Sequence, residues 1–380
     1  MEREGIDMWV VIARENNEDQ LALSLLPAPL LSASRRTMLV FFRQDDTLER
    51  LNLSPKGSAM DLVYDSVRQD KQSDQWQFLR ELVAERKPRT VAANFSETFA
   101  EADGLTSTDH RLLQKALAGL DVELVSGERL AVAWLETRTT PELEAYTGLN
   151  RIAHDIIAQA FSSKVILPGV TTAVDVAWWM RQRIQDLGLR AWFHPTVNIQ
   201  RQGDKAVPAE AVIQGGDLLH CDMGLVYLGL CTDTQQLAYV RRPGEESAPQ
   251  DLERALAAGN LLQDITVAQF AIGKTGNQVL ADALAQASTQ GLKARVYTHP
   301  IGVHGHAAGP TIGLFDKQDF VAGSGDYPLY DNTCYALELN VITSVPTLDQ
   351  DVMIPLEQTV AFTQGKVQFL GGRQTRLHLI

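Results

Sequence analysis

An apolar hairpin is predicted at residues 216–233, which read GDLLHCDMGLVYLGLCTD. Two apolar runs flank a turn at residues 227–229, and this is the pattern of two strands joined by a tight connection. Because side chains alternate along a strand, Asp222 shares a face with His220 and Gly224. The hairpin therefore carries an acidic side chain on one face of an otherwise apolar strand.

Two aspartates can come together across this hairpin. Asp222 and Asp233 are eleven residues apart, a spacing that allows them to lie side by side on the two strands. In apolar strands their charges would repel each other and lose solvation unless protons or cations neutralised them. The hairpin alone leaves two interpretations open: a cation site, or one aspartate that caps a turn and another that lies in solvent.

A histidine cluster occupies residues 298–310, which read THPIGVHGHAAGP. Three of the eight histidines of the chain fall there, namely His299, His304 and His306. Glycine lets the backbone approach a ligand closely, and neutral imidazole is a common metal ligand. The cluster therefore indicates a functional segment. For His306, shaping the glycine-rich loop is the alternative role.

Two further predicted strands each carry one acid among apolar residues. Glu338 lies in YALELNV at residues 335–341, and Glu357 lies in MIPLEQTVAF at residues 353–362. Buried glutamate is rare unless it is paired or coordinates a metal. With two aspartates and one histidine, these glutamates can form an oxygen-rich site for two divalent cations. Such a donor set suits Mn²⁺, Co²⁺, Fe²⁺ or Zn²⁺ and differs from a structural zinc site built on thiolates.

The region after residue 140 contains a weak internal repeat. Helices are predicted at residues 141–161, 173–186, 250–270 and 277–288. A Gly-x-Thr turn joins each pair of helices, at Gly169 and at Gly273, 104 residues apart, and a strand-rich stretch follows each pair. Two helix–helix–sheet halves predict a pseudo-twofold domain whose sheets surround a shared cleft. Chance similarity is the alternative, because Gly-x-Thr is common turn chemistry before a helix.

The first 136 residues predict a smaller α/β domain. Strands are predicted at residues 8–13, 37–42 and 89–93, and helices at residues 74–85 and 109–120. Thr139 and Glu142 form a capping box with Pro141 in the first helical turn, which marks the start of the next domain. We therefore divide the chain into residues 1–136 and 137–380.

The composition is that of an acidic globular protein. The 380 residues carry a net charge of −13, and 45% of them are hydrophobic. Nucleic-acid affinity depends on Lys and Arg that neutralise phosphates, so we expect no nucleic-acid partner. We expect no membrane partner either, since no apolar run approaches the roughly 20 residues of a membrane span. Three cysteines and no visible secretory signal predict a cytoplasmic protein, unless a leader precedes Met1 in the natural protein.

The motifs together resemble the pita-bread metallopeptidase family, which includes prolidase, aminopeptidase P, methionine aminopeptidase and the metal-free creatinase. The family's positions are filled in order by Asp222, Gly224, Gly229, Asp233, His299, Ile301, Gly302, His306, Glu338 and Glu357. The resemblance covers the whole chain and implies an α+β fold. In that fold a creatinase/prolidase-type α/β domain precedes the pseudo-twofold catalytic domain, which begins at about residue 137.

The resemblance also implies a metal-binding role for each acidic position. Asp222 would bind one of two divalent metal ions, while His299 and Glu338 would bind the other. Asp233 and Glu357 would bridge the two ions. Manganese is the expected metal, with cobalt, zinc and iron as alternatives.

The implied activity is that of an exopeptidase. It would hydrolyse the N-terminal amide bond of small peptides, with Xaa-Pro sequences expected, by a metal-activated water. Glu338 would transfer the proton as general base and then as general acid. His306 would donate a hydrogen bond to the scissile carbonyl or to the oxyanion. A homodimer is the assembly that the resemblance implies.

Several positions depart from the family pattern. Residues 198–216 contain no histidine, although the family carries a substrate-facing one there, and His194 is the nearest candidate for a catalytic role. Packing beside the neighbouring aromatic residues is the alternative for His194. Arg295 and Pro355 stand where the family usually has histidine and arginine, which weakens the expectation of proline recognition. Two other functions therefore remain open: a hydrolase or lyase of a small amide-like metabolite, and a catalytically silent metal-binding homologue.

Overall fold

Two compact units make up the chain in the computed structural model, Met1–Leu135 and Glu136–Ile380. The structure describes residues 1–68, 74–204 and 206–380. Among the described helices, none has the length and apolar character needed to cross a membrane.

The first unit is built on a six-stranded sheet. Its strands are β1 (Met8–Arg14), β2 (Arg36–Gln44), β3 (Thr47–Pro55), β4 (Asp65–Arg68), β5 (Thr90–Ala93) and β6 (Glu123–Ser126). The helices are α1 (Gln20–Ser24), α2 (Gln75–Arg86), α3 (Ser107–Leu117) and α4 (Glu128–Glu136). The spatial order is β4-β3-β2-β1-β5-β6, in which β1 runs antiparallel to β2 and parallel to β5.

The predicted elements of this unit are confirmed to within three residues. In β1 the apolar residues Met8 and Val10 pack against Leu79 of α2 and Leu113 of α3. Helix α2 begins where Asp74 accepts a hydrogen bond from the main chain. Strands β3, β4 and β6 were not expected, because about half of their side chains are polar and their apolar runs are short.

The second unit contains a nine-stranded and a three-stranded sheet. Its strands are β7 (Arg190–Ala191), β8 (Thr196–Gln200), β9 (Leu218–Met223), β10 (Leu225–Tyr227), β11 (Leu230–Cys231), β12 (Thr234–Tyr239), β13 (Lys293–Val296), β14 (His299–Pro300), β15 (Thr333–Val345), β16 (Gln350–Thr363), β17 (Lys366–Phe369) and β18 (His378–Leu379). The helices are α5 (Thr140–Ala160), α6 (Ala173–Asp186), α7 (Gln250–Val267) and α8 (Gly276–Thr289). The large sheet follows the path β13-β15-β16-β12-β9-β8, with β14, β17 and β18 paired at its sides, and the small sheet has the order β11-β10-β7.

The two halves of this unit repeat each other in local geometry. Gly169 and Gly273 have nearly equal φ angles of 84° and 83°, a left-handed conformation that favours glycine. In both turns the glycine N–H donates to a main-chain carbonyl 2.8 Å away. Capping boxes at Thr172 and Thr275 then start α6 and α8. The capping threonine lies three residues after Gly169 and two residues after Gly273, so the two turns are similar without being identical, and the duplication stays a prediction.

The helices pack on one face of the strands, and the acidic side chains therefore lie on the opposite face. In β9, Cys221 and Met223 belong to the apolar core formed with α5 and α6. In β15, Leu337 belongs to the core formed with α7 and α8. Because side chains alternate along a strand, Asp222 and Glu338 point away from these helices.

The hairpin differs from its prediction in register. The turn lies where it was expected, with Leu228 and Gly229 at positive φ, as a two-residue hairpin turn requires. The strands beside that turn, β10 and β11, leave the large sheet, and β9 pairs with β12 instead. The register partner of Asp222 is Gln235, and Asp233 lies just before β12. The two aspartates are therefore not direct register partners, but a carboxylate oxygen of each lies within 4.8 Å of the other, so their predicted approach across neighbouring strands is confirmed.

Candidate metal centre

Four polar side chains lie in one row across the large sheet. Asp222 of β9 is the register partner of Gln235 of β12, and Gln235 in turn pairs with Glu357 of β16. Glu357 pairs with Glu338 of β15. Direct partners in a sheet point their side chains to the same face. The sheet therefore brings three carboxylates and one amide together from strands that are distant in the chain.

His299 reaches the same cluster from the short strand β14, where its register partner on β15 is Ala336. Its Nε2 atom lies 3.5 Å from Glu357 Oε1 and 3.9 Å from Asp233 Oδ2. Its Nδ1 atom lies 3.0 Å from the main-chain oxygen of Pro300. Since a carbonyl oxygen only accepts hydrogen bonds, the proton belongs on Nδ1, which leaves the lone pair of Nε2 facing the acids. That tautomer is the one in which Nε2 can bind a metal.

The donor atoms of six side chains converge in three overlapping groups. Within each group, one donor atom of every residue lies within 4.8 Å of the others. The groups are Asp233, His299 and His306; His299, Glu338 and Glu357; and Asp222, Asp233 and Glu357. All five predicted metal ligands are included. Overlapping groups that share residues match a site for two ions with common ligands, while the assignment of each ligand to one ion stays a prediction.

Divalent ions fit the residues present. Four buried donor atoms have no hydrogen-bond partner among the described residues, and they are Asp222 Oδ1, Asp233 Oδ1, His299 Nε2 and Glu357 Oε1. Buried polar atoms are nearly always hydrogen-bonded, so four together need an explanation. Carboxylate oxygens with a single imidazole form a donor set that suits first-row divalent ions.

The acids carry strongly raised pKa values. Burial raises the pKa of Asp222 to about 6 and the pKa of Glu338 to about 7. Burial, and then repulsion by neighbouring carboxylates, raises the pKa of Asp233 and of Glu357 well above the ordinary range. The cause is that four carboxylates share one dry region, where they must hold either protons or cations.

His306 lies at the rim of the centre. Its ring stands edge-on to His299 with centroids 4.6 Å apart, and it is exposed to solvent. Partial burial and the neighbouring His299 lower the pKa of His306. A neutral, accessible imidazole here can donate a hydrogen bond to a substrate atom. The structure therefore places His306 where its predicted role requires it, and the role itself stays a prediction.

Trp192 packs against His306, a contact that the sequence did not suggest. The two ring centroids are 5.4 Å apart, and the indole Nε1 donates to the main-chain oxygen of Thr232 at 2.8 Å. The indole fits only because Gly224 and Gly305 lack side chains: a Cβ atom at either position would approach Trp192 to 2.0 Å or 2.2 Å. Gly224 and Gly305 are the features of the sequence that could have indicated a large side chain packed closely at this place.

His194 lies outside the three donor groups. Its exposed ring packs on Trp178, with centroids 4.7 Å apart. No described contact connects it to the carboxylates. Its catalytic role stays a prediction, and the packing beside an aromatic residue matches the alternative.

Gln235 is a member of the centre that sequence reasoning missed. Its Nε2 atom donates to Glu338 Oε1 at 2.5 Å and to Glu357 Oε2 at 3.0 Å. Its Oε1 atom lies 2.9 Å from His220 Nε2. The sequence contains one indication of this role: Gln235 lies two residues after Asp233, and residues two apart in a strand point to the same face. A glutamine carries no charge, however, that would mark it as part of a metal site.

The carboxylate–imidazole centre on the large sheet is a donor set suited to divalent metal ions. The sequence matches the model of metallopeptidase family M24 over residues 148–364. Because this match spans more than half of the chain, the protein belongs to metallopeptidase family M24. The predicted family and its α+β pita-bread fold are thereby confirmed.

Solved structures with the same fold cover nearly the whole chain. An X-Pro aminopeptidase from Thermotoga maritima has a TM-score of 0.69 at 17% identity, covering 100% of this chain and 99% of its own. A Xaa-Pro dipeptidase from Bacillus anthracis has a TM-score of 0.65 at 15% identity, covering 100% and 96%. The N-terminal domain of the FACT complex subunit SPT16 from Cicer arietinum has a TM-score of 0.61 at 12% identity, covering 99% and 94%. Such low identities show the fold alone. No curated protein sequence matches significantly.

Proposed function

We propose that this metallopeptidase is an exopeptidase that hydrolyses the N-terminal amide bond of small peptides, with Xaa-Pro bonds preferred and Mn²⁺ as the resident ion. The observation that carries the proposal is the convergence of the five predicted ligands, four of which keep a buried donor atom without a partner. Two divalent ions bound there would supply Lewis acidity and a water of lowered pKa.

Glu338 is the residue placed to move a proton. Gln235 donates to its Oε1 atom, which leaves the Oε2 atom for a predicted ion and for proton exchange with the water that this ion would hold. In the ion-free protein, burial raises the pKa of Glu338 to about 7, and bound ions would lower it toward the range in which a carboxylate accepts a proton and returns it. The carboxyl group can therefore act first as base and then as acid.

The rim of the centre supplies the substrate contacts. His306 is neutral and accessible, so its N–H can donate to the scissile carbonyl and to the negative charge that develops on that oxygen. Trp192 lies beside it and offers an apolar surface on which a pyrrolidine ring can pack. The preference for proline rests on this surface and on the names of the two peptidases with the same fold.

A hydrolase or lyase of small amide-like metabolites is the second candidate. It is favoured by Arg295 and Pro355, since these residues replace the histidine and arginine usual in the family. Arg295 has no ion pair with a described carboxylate, and its guanidinium stacks on Phe315 at 4.9 Å. A substrate site changed at both positions could accept a different amide.

The proposal is tested by product analysis with the metal-loaded protein. Protein loaded with Mn²⁺ is incubated with Xaa-Pro dipeptides, Xaa-Pro tripeptides, matched Xaa-Ala peptides and N-acetylated Xaa-Pro peptides. Released N-terminal residues are quantified by mass spectrometry. We expect release from free Xaa-Pro peptides and none from the acetylated ones, because an exopeptidase requires the free amino terminus.

Two controls make the result decisive. Glu338→Ala should abolish turnover while the protein stays folded, and an unchanged rate would contradict the role of Glu338. If the wild type binds two ions and releases no residue from any peptide, the peptidase proposal is wrong. Turnover of Xaa-Ala at the same rate as Xaa-Pro would contradict only the proline preference.

A further inference from the structure

The side chain of Gln235 lies between the two glutamates of the metal centre. It is 3% exposed, and its single amide nitrogen donates to Glu338 Oε1 at 2.5 Å and to Glu357 Oε2 at 3.0 Å. Each of its two N–H bonds is thus used on a different carboxylate. One uncharged group connects both acids.

The orientation of this amide is determined by a chain of hydrogen bonds. Gln235 Oε1 lies 2.9 Å from His220 Nε2, and because an amide oxygen only accepts, His220 must carry its proton on Nε2. His220 Nδ1 then accepts from Asn198 Nδ2, 3.4 Å away. Turning the amide around would place its oxygen against two carboxylates and its N–H groups against the imidazole N–H. All donors therefore point in one direction, from Asn198 toward the acids.

The amide also selects which carboxylate oxygens remain for the ions. With Oε2 of Glu357 bound to Gln235, the Oε1 atom is left buried without a partner, 3.5 Å from His299 Nε2. With Oε1 of Glu338 bound, its Oε2 atom is left. Asp222 lies on the other side of Gln235 in the same row. Gln235 lies in the middle of the donor set. Its two hydrogen bonds thus fix the rotation of the carboxylate group of each of these two ligands.

We propose that Gln235 is a positioning residue for the metal centre, where its amide fixes the ligating oxygens of Glu338 and Glu357, and that His220 holds the amide in that orientation. The inference rests on the metal centre of the proposed function and is independent of the substrate. Groups that orient metal ligands typically change metal affinity 10- to 100-fold when they are removed.

The test compares Gln235→Met with Gln236→Met. Gln236 is the neighbouring residue of β12, is 4% exposed, and points to the opposite face, where its Oε1 atom meets His378 Nε2 at 2.7 Å. Both substitutions remove a buried amide of the same volume from the same strand. The affinity and the stoichiometry of Mn²⁺ binding are measured by isothermal titration calorimetry on protein from which a chelator has removed the metal ions. We expect Gln235→Met to weaken at least one ion about 10- to 100-fold, and Gln236→Met to stay within about threefold of the wild type.

A spectroscopic readout separates positioning from general loss of structure. The d–d absorption of the Co²⁺-loaded protein reports ligand geometry directly, so it should change in Gln235→Met and not in Gln236→Met. Equal affinities and an unchanged cobalt spectrum in Gln235→Met would overturn the proposal.

His220→Leu carries the test if Gln235→Met does not fold. It keeps the amide but frees it to turn, so we expect a loss of Mn²⁺ affinity that is smaller than the roughly 10- to 100-fold loss expected when the amide itself is removed. An affinity equal to that of the wild type would contradict the proposed role of His220. Tight metal binding without peptidase activity would overturn the proposed function and leave this inference intact, whereas a wild type that binds no ion would overturn both.

Discussion

Chelating the metal ions should make the stability of the protein depend strongly on pH. In the folded protein, burial raises the pKa of Asp222 from its ordinary 3.8 to about 6 and the pKa of Glu338 from 4.5 to about 7. At pH values between the ordinary pKa and the raised pKa of each group, the folded state binds more protons than the unfolded state. Stability is therefore fully present below pH about 4 and is lost as the pH rises through about 6 to 7.

The expected loss follows from the size of these changes. A tenfold change in an acid dissociation constant corresponds to about 1.4 kcal/mol, so Glu338 alone accounts for about 3 kcal/mol between pH 5 and pH 8. Because the acids influence each other, their contributions do not add, and we take about 3 kcal/mol for the group. In a unit of this size, that loss lowers the melting temperature by roughly 6–12 °C.

The assay is urea unfolding of chelated protein at pH 5, 6, 7 and 8, with Mn²⁺-loaded protein measured in parallel. The loaded protein should show no such loss, because the ions bind the ionised ligands and bind them more tightly as the pH rises. Glu338→Gln should flatten the curve of the chelated protein, since one titrating group is removed. Equal unfolding free energies of the chelated wild type at pH 5 and pH 8 would refute the reasoning.

Three further predictions concern single residues around the centre. His306→Ala should lower kcat about 100-fold with two ions still bound in calorimetry; loss of one ion would instead make His306 a ligand. Gly224→Ala should destabilise the protein by about 3 kcal/mol in urea unfolding, because the new methyl group would lie 2.0 Å from Trp192 Nε1. Gly148→Ala is its control. A Cβ atom added at this exposed helical position would meet no neighbouring atom within 4 Å, so we expect the free energy of unfolding to rise by about 0.5–1 kcal/mol. His194→Ala should leave metal affinity unchanged, because His194 lies outside the donor groups; only a fall in kcat/KM would support its catalytic role.

The start of each long helix and the identity of the buried acids could be predicted from the sequence. The capping box of Thr139 and Glu142 involves side chains three residues apart, so it forms as expected, with Thr139 N donating to Glu142 Oε2 at 2.7 Å. Glu338 and Glu357 stand out because a lone acid in an apolar strand needs a partner. These features depend on neighbours in the chain or on one residue's own chemistry.

The other members of the site depend on how distant strands pair and on which side chains the fold brings together. Gln235 belongs to the centre only because β12 lies between β9 and β16, which brings residue 235 beside residues 222 and 357. Trp192 reaches His306 only because two distant glycines leave room for the indole. Strand pairing over more than a hundred residues follows from the packing of the whole sheet, and a glutamine or a tryptophan fits many other environments equally well. Neither residue type states its partner, so only the tertiary structure could assign one.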